Sequence, residues 1–478
     1  MPTPHKSSPS PFHTSLYAEH RRWARGLRSV RLLAAFAALA ALATPAPGAG
    51  PADTRIQAAV DKHAAAAIAD RRWLHENAEL GNKEVQTSAR IARALEELGL
   101  RVERNVAVTG VLGLLDTGTP GPFVAVRAEM DGLPVIEAED SANPVRSKNA
   151  GVMHACGHDV HMACALGTAR ALSEIKSSLR GKILFVFQPA EEGVPPDEEN
   201  GLEKSTGSSK VGADRLVSVE RLFERHPVQA IFGLHGFPDI PVGSLGLLPE
   251  YALAASDSFE IVVRGRSAHA GLAPWTGSDV LQIAAGAVLD IHALPARQTD
   301  PRRPKVVSVS MLDCTDGRHN ILCHTARLSG TVRTYHAQDR RDIRAGIENI
   351  MDAAVKARDP QAGRCEAGAP PDALCWEFAS YNEYGPPVRQ DVKLLDWSGG
   401  VLKSALGDPK VQPVPASLGA EDYSYYCEKV PCVFLALGTG PAGGTGGLHT
   451  PRYAPSEDAI PVGMRALTTL AVRYLSER

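Results

Sequence analysis

Ile183-Leu184-Phe185-Val186-Phe187-Gln188-Pro189-Ala190-Glu191-Glu192 is the stretch that sets the fold of this chain. Five apolar residues in a row, without alternation, describe a strand covered on both faces. Ala230-Ile231-Phe232-Gly233-Leu234 and Cys432-Val433-Phe434-Leu435-Ala436-Leu437 repeat that character. Shorter strand patterns lie at 111–116 and 123–128, and helical periodicity at 54–76, 84–98 and 159–175. The expected fold class is α/β with a mainly parallel sheet. In such a sheet, sites form outside the carboxyl ends of the strands.

The residues just beyond those strand ends are chemically alike. Glu191 and Glu192 come after Phe187, His235 after Leu234, and His449 lies on the Gly-rich loop after Leu437. Neighbours in extended chain point to opposite sides, so one carboxylate of the pair can bind metal while the other takes a proton from water. Taken alone, such a pair is ordinarily two solvated glutamates. A further stretch, Gly151-Val152-Met153-His154-Ala155-Cys156-Gly157-His158-Asp159-Val160-His161, opens the helix expected at 159–175, with Asp159 as its N-cap. In extended backbone His154, Cys156 and His158 would project on one side, and Gly157 allows a tight turn between the last two. Cys156, His158, Glu192, His235 and His449 make a set for two close divalent ions, able to activate water and polarise a carbonyl. Amide hydrolysis is the natural use. Cys and His suit zinc, while mixed Glu and His ligation also admits manganese or cobalt. Two other readings stay open: a Cys156 nucleophile assisted by His158, and a buried cysteine among ordinary histidines.

The chain has 478 residues, enough for more than one core, and near-balanced charge, with 51 Lys plus Arg against 54 Asp plus Glu. No basic patch points to nucleic acid, so the partner expected is a small molecule. Residues 1–50 read as a disordered start and a secretory signal: Arg21, Arg22, Arg25, Arg28 and Arg31, then an uncharged run at 32–43, then a small, Pro-rich segment. An uncleaved anchor is the alternative, but the run is short for a bilayer, and no membrane insertion is expected after processing. The implied location is periplasmic or secreted. Export would permit disulfides. Among the eight cysteines, Cys314 with Cys323, Cys365 with Cys375 and Cys427 with Cys432 are near neighbours that could be bridged, or all could be free and buried.

Between Ser256 and Tyr384 the rhythm changes. Strand patterns at 259–263, 306–312, 326–335 and 374–381 alternate with helices at 278–291 and 339–358. The order βαββαβ is ferredoxin-like. The domain plan expected is a catalytic domain in two parts, 51–255 and 385–478, with an inserted lid or dimerisation domain at 256–384. The segment 203–212 lacks pattern and reads as a loop.

Several stretches together resemble the amidohydrolase branch of the aminoacylase/carboxypeptidase family of metallopeptidases, the branch of hippurate hydrolase and the plant auxin-conjugate hydrolases. They are Arg71 to Leu80, Val126 to Pro134, Met153 to His161, Phe187 to Glu192, Phe232 to His235, Gly330 to Thr334, Glu421 to Tyr423 and His449 to Pro451. The resemblance implies that Cys156, His158, Glu192, His235 and His449 are ligands of two divalent metal ions and that Glu191 is the general base. It implies substrate contacts for His269, in Ser267-Ala268-His269-Ala270, and for Asn320, in His319-Asn320-Ile321. It also implies a homodimer joined through the inserted domain, and N-acyl or N-aminoacyl amino acids, dipeptides included, as substrates. Two departures stand out. Glu129 occupies a position where the family usually has Asp, and Leu322-Cys323-His324 replaces the usual Ile-Pro-Asp or Glu. A non-catalytic binding homologue is the competing function, although such a protein has no need of Glu191.

Overall fold

The computed structural model describes residues 51–194, 210–314, 316–440 and 446–478. The expected leader at 1–50 and most of the expected loop at 203–212 lie outside the described residues. No helix among the described residues is long and apolar enough to cross a membrane.

In chain order the strands are β1 (Arg101–Val106), β2 (Gly110–Asp116), β3 (Phe123–Glu129), β4 (Lys182–Gln188), β5 (Ala230–Pro241), β6 (Leu245–Leu247), β7 (Tyr251–Leu253), β8 (Ala255–Arg264), β9 (Lys305–Asp313), β10 (Thr325–Thr334), β11 (Gly363–Arg364), β12 (Cys375–Tyr384), β13 (Val388–Arg389), β14 (Val411–Pro413) and β15 (Cys432–Gly440). Eight form one sheet, ordered β1-β2-β4-β3-β5-β15-β6-β14. Its centre, β4-β3-β5-β15, is parallel throughout. Four carboxyl ends therefore share one edge.

The unbroken apolar runs are explained by two cores, one on each face. Ile183, Phe185 and Phe187 of β4 pack with Phe232 and Leu234 of β5 and with Val433, Leu435 and Leu437 of β15. That face is covered by the helices Pro51–Glu76, His158–Glu174 and Ala459–Glu477. The alternate residues Leu184, Val186, Ile231, Phe434 and Ala436 point into the second core. Strand β1 was not expected. It is an edge strand, Arg-Val-Glu-Arg-Asn-Val, whose charged residues face water and whose two valines are too few to show a period.

A second sheet has the order β11-β12-β8-β10-β9, antiparallel between its four long strands. With the helices Val280–Arg297 and Ala337–Lys356 it forms the ferredoxin-like arrangement expected from the pattern. Both helices lie over one face: Ile283, Ala287, Ile291, Ile343 and Ile347 pack on Phe259, Ile261, Val263, Leu328 and Val332. Residues that alternate with these, such as Arg333, point away from that core.

Three disulfides join Cys314 to Cys323, Cys365 to Cys375 and Cys427 to Cys432, while Cys156 and Cys164 are free and buried. Of the two alternatives open for these pairs, the bridged one is found.

Candidate metal centre and hydrolytic cleft

The helix His158–Glu174 starts behind a left-handed Gly157, φ 92°, and a Cβ there would meet the Tyr453 hydroxyl at 2.9 Å. Asp159 is not its N-cap. That carboxylate turns inward, pairing through Oδ2 with Arg71 Nε and His75 Nδ1, each at 2.8 Å. Gly157 holds the cap position, and Asp159 instead ties the helix start to the helix Pro51–Glu76. Nor do His154, Cys156 and His158 share one face. Ala155 N–H donates to Met153 O at 2.9 Å, a tight turn that breaks the extended backbone on which that expectation rested. His154 is buried near His75, ring centroids 6.5 Å apart, and burial pushes its pKa down to about 3.

Cys156 and His158 meet Glu192, His235 and His449 directly, although His235 lies within β5, which runs on to Pro241, and not beyond its end. Cys156 Sγ lies 3.3 Å from His235 Nε2 and 3.3 Å from His449 Nε2. His449 Nε2 is in turn 3.0 Å from Glu192 Oε1. Two groups of potential ligands result, Cys156-His158-His235 and Cys156-Glu192-His449, each with its donor atoms within 4.8 Å of one another. Cys156 is common to both, which suits a thiolate shared between two ions.

The imidazoles are oriented from behind. His158 Nδ1–H donates to Asp131 O at 2.8 Å and His235 Nδ1–H to Gly236 O at 2.9 Å. That sets the tautomer of each neutral ring, so that once the extra proton of His158 is displaced both Nε2 lone pairs point toward the cluster, as a metal ligand requires. His158 Nε2 is buried without a hydrogen-bond partner, an orphan that a cation would satisfy. The donor set of thiol, imidazole and carboxylate fits borderline divalent cations.

Glu191 and Glu192 sit on a turn that is pinned at both ends. Ala190 takes a left-handed φ of 50°. That conformation costs about 1–2 kcal/mol for a non-glycine residue. It is offset by the hydrogen bond from Ala190 N–H to buried Glu84 at 2.9 Å. Glu192 N–H donates to Asp131 Oδ2 at 2.8 Å, so one aspartate positions both a histidine and the carboxylate loop. Glu191 is buried, 3.8 Å from His158 Nε2, and accepts the Tyr384 hydroxyl at 2.8 Å.

The electrostatics favour cations. Burial, reinforced by Glu421 and Glu192, raises the Glu191 pKa well above the carboxylate range. Burial, reinforced by Glu192 and Glu191, raises the Cys156 thiol. Burial opposes charge on His158 too, but Asp131, Glu129 and Glu192 overcome it and lift its pKa to about 10. Behind them, the one guanidinium of Arg127 meets Glu129, Glu421 and Asp422. The excess of buried carboxylate is compensated if dications enter. Glu129, at the position where the family usually has Asp, accepts His161 Nδ1–H at 2.9 Å, and His161 Nε2 accepts Gly236 N–H at 2.8 Å. It thus steadies the backbone beside His235.

These residues open into a cleft of about 610 Å³, lined by Cys156, Glu191, Glu192, His235 and His449 from below and by Arg333 and Tyr384 from the second sheet. His269 and Asn320 do not line it; both are exposed on the second sheet's loops. Asp131, Arg333 and Tyr384 were missed as site residues. Asp131 and Arg333 fall inside the stretches that carry the resemblance. Tyr384 left no signal, because its strand was expected to stop at Tyr381.

The sequence profile of the group described as peptidase family M20/M25/M40 matches residues 125–473. An Arabidopsis thaliana IAA-amino acid hydrolase, ILR1-like 2, is 33% identical over 409 residues, 85% of each chain. A Bacillus subtilis N-acetylcysteine deacetylase is 31% identical over 85% of this chain and 96% of its own. A solved structure from Bacillus subtilis, the YXEP protein, is described as a dinuclear metal-binding peptidase from the M20 family. It superposes with a TM-score of 0.68 at 28% identity, covering 87% of this chain and 99% of that one.

Proposed function

From the premise that this chain belongs to peptidase family M20/M25/M40, as a metal-dependent hydrolase, we propose that it is an exported amidohydrolase. It binds two divalent ions, zinc or manganese, and hydrolyses N-acyl or N-aminoacyl amino acids to release the free amino acid. One observation carries this reading: two ligand groups joined at Cys156, with Glu191 beside them in the same cleft.

Cys156, His158, Glu192, His235 and His449 would hold the ions. When bound, these supply Lewis acidity toward the amide carbonyl and lower the pKa of a water. Glu191 then takes the water's proton and returns it to the leaving nitrogen. The Tyr384 hydroxyl fixes the direction of that carboxylate. Arg333 faces the cleft half-buried and makes no salt bridge among the described residues. A guanidinium so placed suits the substrate's carboxylate. The relatives named for IAA-amino acid and N-acetylcysteine substrates support this class of amide.

Three points extend the proposal. The Arg-rich and apolar pattern at 21–43 and three disulfides support export to the periplasm or beyond. Strand β9 is a sheet edge carrying Met311, 60% exposed, next to a helix carrying Leu289, 73% exposed. Apolar surface on an unpaired edge supports a homodimer through this sheet. His269 and Asn320 would then reach a cleft by closure or from the partner subunit.

The test is metal analysis of the purified protein joined to a screen of N-acyl amino acids and dipeptides. Two metals per chain and chelator-sensitive release of amino acid are expected. Tight metal binding without turnover would favour a non-catalytic binding homologue, and turnover that survives metal removal would favour a Cys156 nucleophile.

A further inference from the structure

Cys314 lies just after β9 and Cys323 just before β10, and the bridge between them closes the loop that carries Asn320. Cys323 is buried in the core of the second sheet, with Cys314 packed against it. Between them Asp316, Arg318, His319, Asn320 and Ile321 are exposed. None of these five offers a buried apolar side chain to hold the loop. Its order comes from backbone pairing and, at the base, from Asp316, whose carboxylate accepts the His324 N–H at 3.3 Å and pairs with that ring. Arg318 and Ile321 exchange hydrogen bonds of 3.1 and 3.0 Å, while Ala270 N–H donates to Asn320 O at 2.9 Å and Leu322 N–H to Ala268 O at 3.0 Å. His269 and Asn320 therefore sit on one short ladder, anchored at its end by the disulfide.

An exposed ladder this short does not offset the entropy of ordering the loop. A cross-link at its base removes many of the competing conformations. Proline at position 323 would stiffen the backbone by another route, by fixing φ. We propose that Cys314 and Cys323 are positioning residues: their bridge holds Asn320, and through the ladder His269, in the arrangement turnover requires, doing by cross-link what proline does by ring closure. This rests on the reading of those two residues as substrate contacts.

The experiment uses the metal-loaded full chain and three variants: Cys314→Ser/Cys323→Ser, Cys314→Ser/Cys323→Pro, and Cys365→Ser/Cys375→Ser, which opens the other bridge of the same sheet. Amino acid release, metal content and hydrogen exchange at Ala270 and Leu322 are read on each. The first variant is expected to keep its metals while kcat/KM falls roughly 10- to 100-fold, the scale of a misplaced contact. Exchange at both amides should quicken. The proline variant should recover much of both losses, and the third variant should lose neither.

Unchanged kcat/KM and exchange in the first variant would overturn the proposal. So would equal losses in the third variant, which would mark a general loosening of the sheet. A third metal per chain, lost with the two cysteines, would also overturn it, because Asp316 lies beside the sulfurs and all three would then be ligands. If the unmodified protein released no amino acid, the functional reading would fail by itself. The exchange rates would still decide whether the bridge orders the ladder.

Discussion

Beneath the cleft, His158 and His235 are each held from behind by a backbone carbonyl, and Glu192 by Asp131. Above it, His269 and Asn320 stand toward solvent on loops tied together by a short ladder and stapled at its base. The lower half draws its precision from the eight-stranded sheet: four parallel strands end at one edge, and two backbone carbonyls and Asp131 hold three of the donors from behind. The upper half has an ordered sheet, but its loops carrying His269 and Asn320 are exposed and do not line the cleft. The contrast teaches that burial orders the potential metal ligands of the lower half, whereas the upper loops take their order from local pairing and a cross-link.

The most severe way to break the lower half is to remove its shared ligand. Cys156→Ala should lose metal and activity together, while Cys156→Asp keeps part of both, because a carboxylate still ligates. Metal content by mass spectrometry and turnover on an N-acyl amino acid check this. Full activity in the alanine variant would mean that the centre lies elsewhere.

Glu191→Gln separates chemistry from assembly within that half. Metal content should stay near that of the unmodified protein while kcat falls by about 10²- to 10⁴-fold. Near-normal turnover would remove Glu191 from the mechanism.

His269→Ala tests the upper half. It should spare the metals and lower kcat by roughly 10²- to 10³-fold, the effect of losing one donor to a developing oxyanion. Mixing His269→Ala chains with Glu191→Gln chains sharpens the comparison. Restored activity in mixed dimers would place His269 over the partner's cleft. No restoration, with subunit exchange shown separately, would leave closure within one chain.

Arg333→Ala touches the seam between the halves. KM should rise by about 10- to 100-fold with little change in kcat, the scale of a charge-assisted hydrogen bond. An unchanged KM would reject Arg333 as the carboxylate anchor.

The smallest effect is one of pH. In the metal-free protein His158 carries a proton up to about pH 10, and the Cys156 thiol is raised as well. Metal must displace these protons. Apparent affinity should therefore rise as pH rises through neutrality and fall as it is lowered. Calorimetry in buffers of different ionisation enthalpy should show proton release on binding. Affinity that is flat between about pH 6 and 8, the range where histidine ordinarily titrates, would contradict the protonated resting state.

The residues themselves made the architecture legible wherever the signal was local. Unbroken apolar runs at 183–187 and 432–437 marked strands with two covered faces, and ligand-type residues after them marked one edge of the sheet. Neighbouring cysteines anticipated three bridges, although only the fold shows that they close. Other features depended on partners remote in the chain. The pairing of Asp159 with Arg71 and His75 replaced the cap that local pattern suggested, and the turn at Met153–Ala155 sent His154 away from Cys156. Strand β1 was hidden because an edge strand needs few apolar residues. Tyr384 reaches Glu191 across 193 residues, and Arg127 gathers Glu421 and Asp422 from 294 and 295 residues away. Periodicity records which face of an element meets oil and which meets water. It carries no record of which strand end lies beside which, and it was the parallel order β4-β3-β5-β15 that turned scattered histidines and carboxylates into one site.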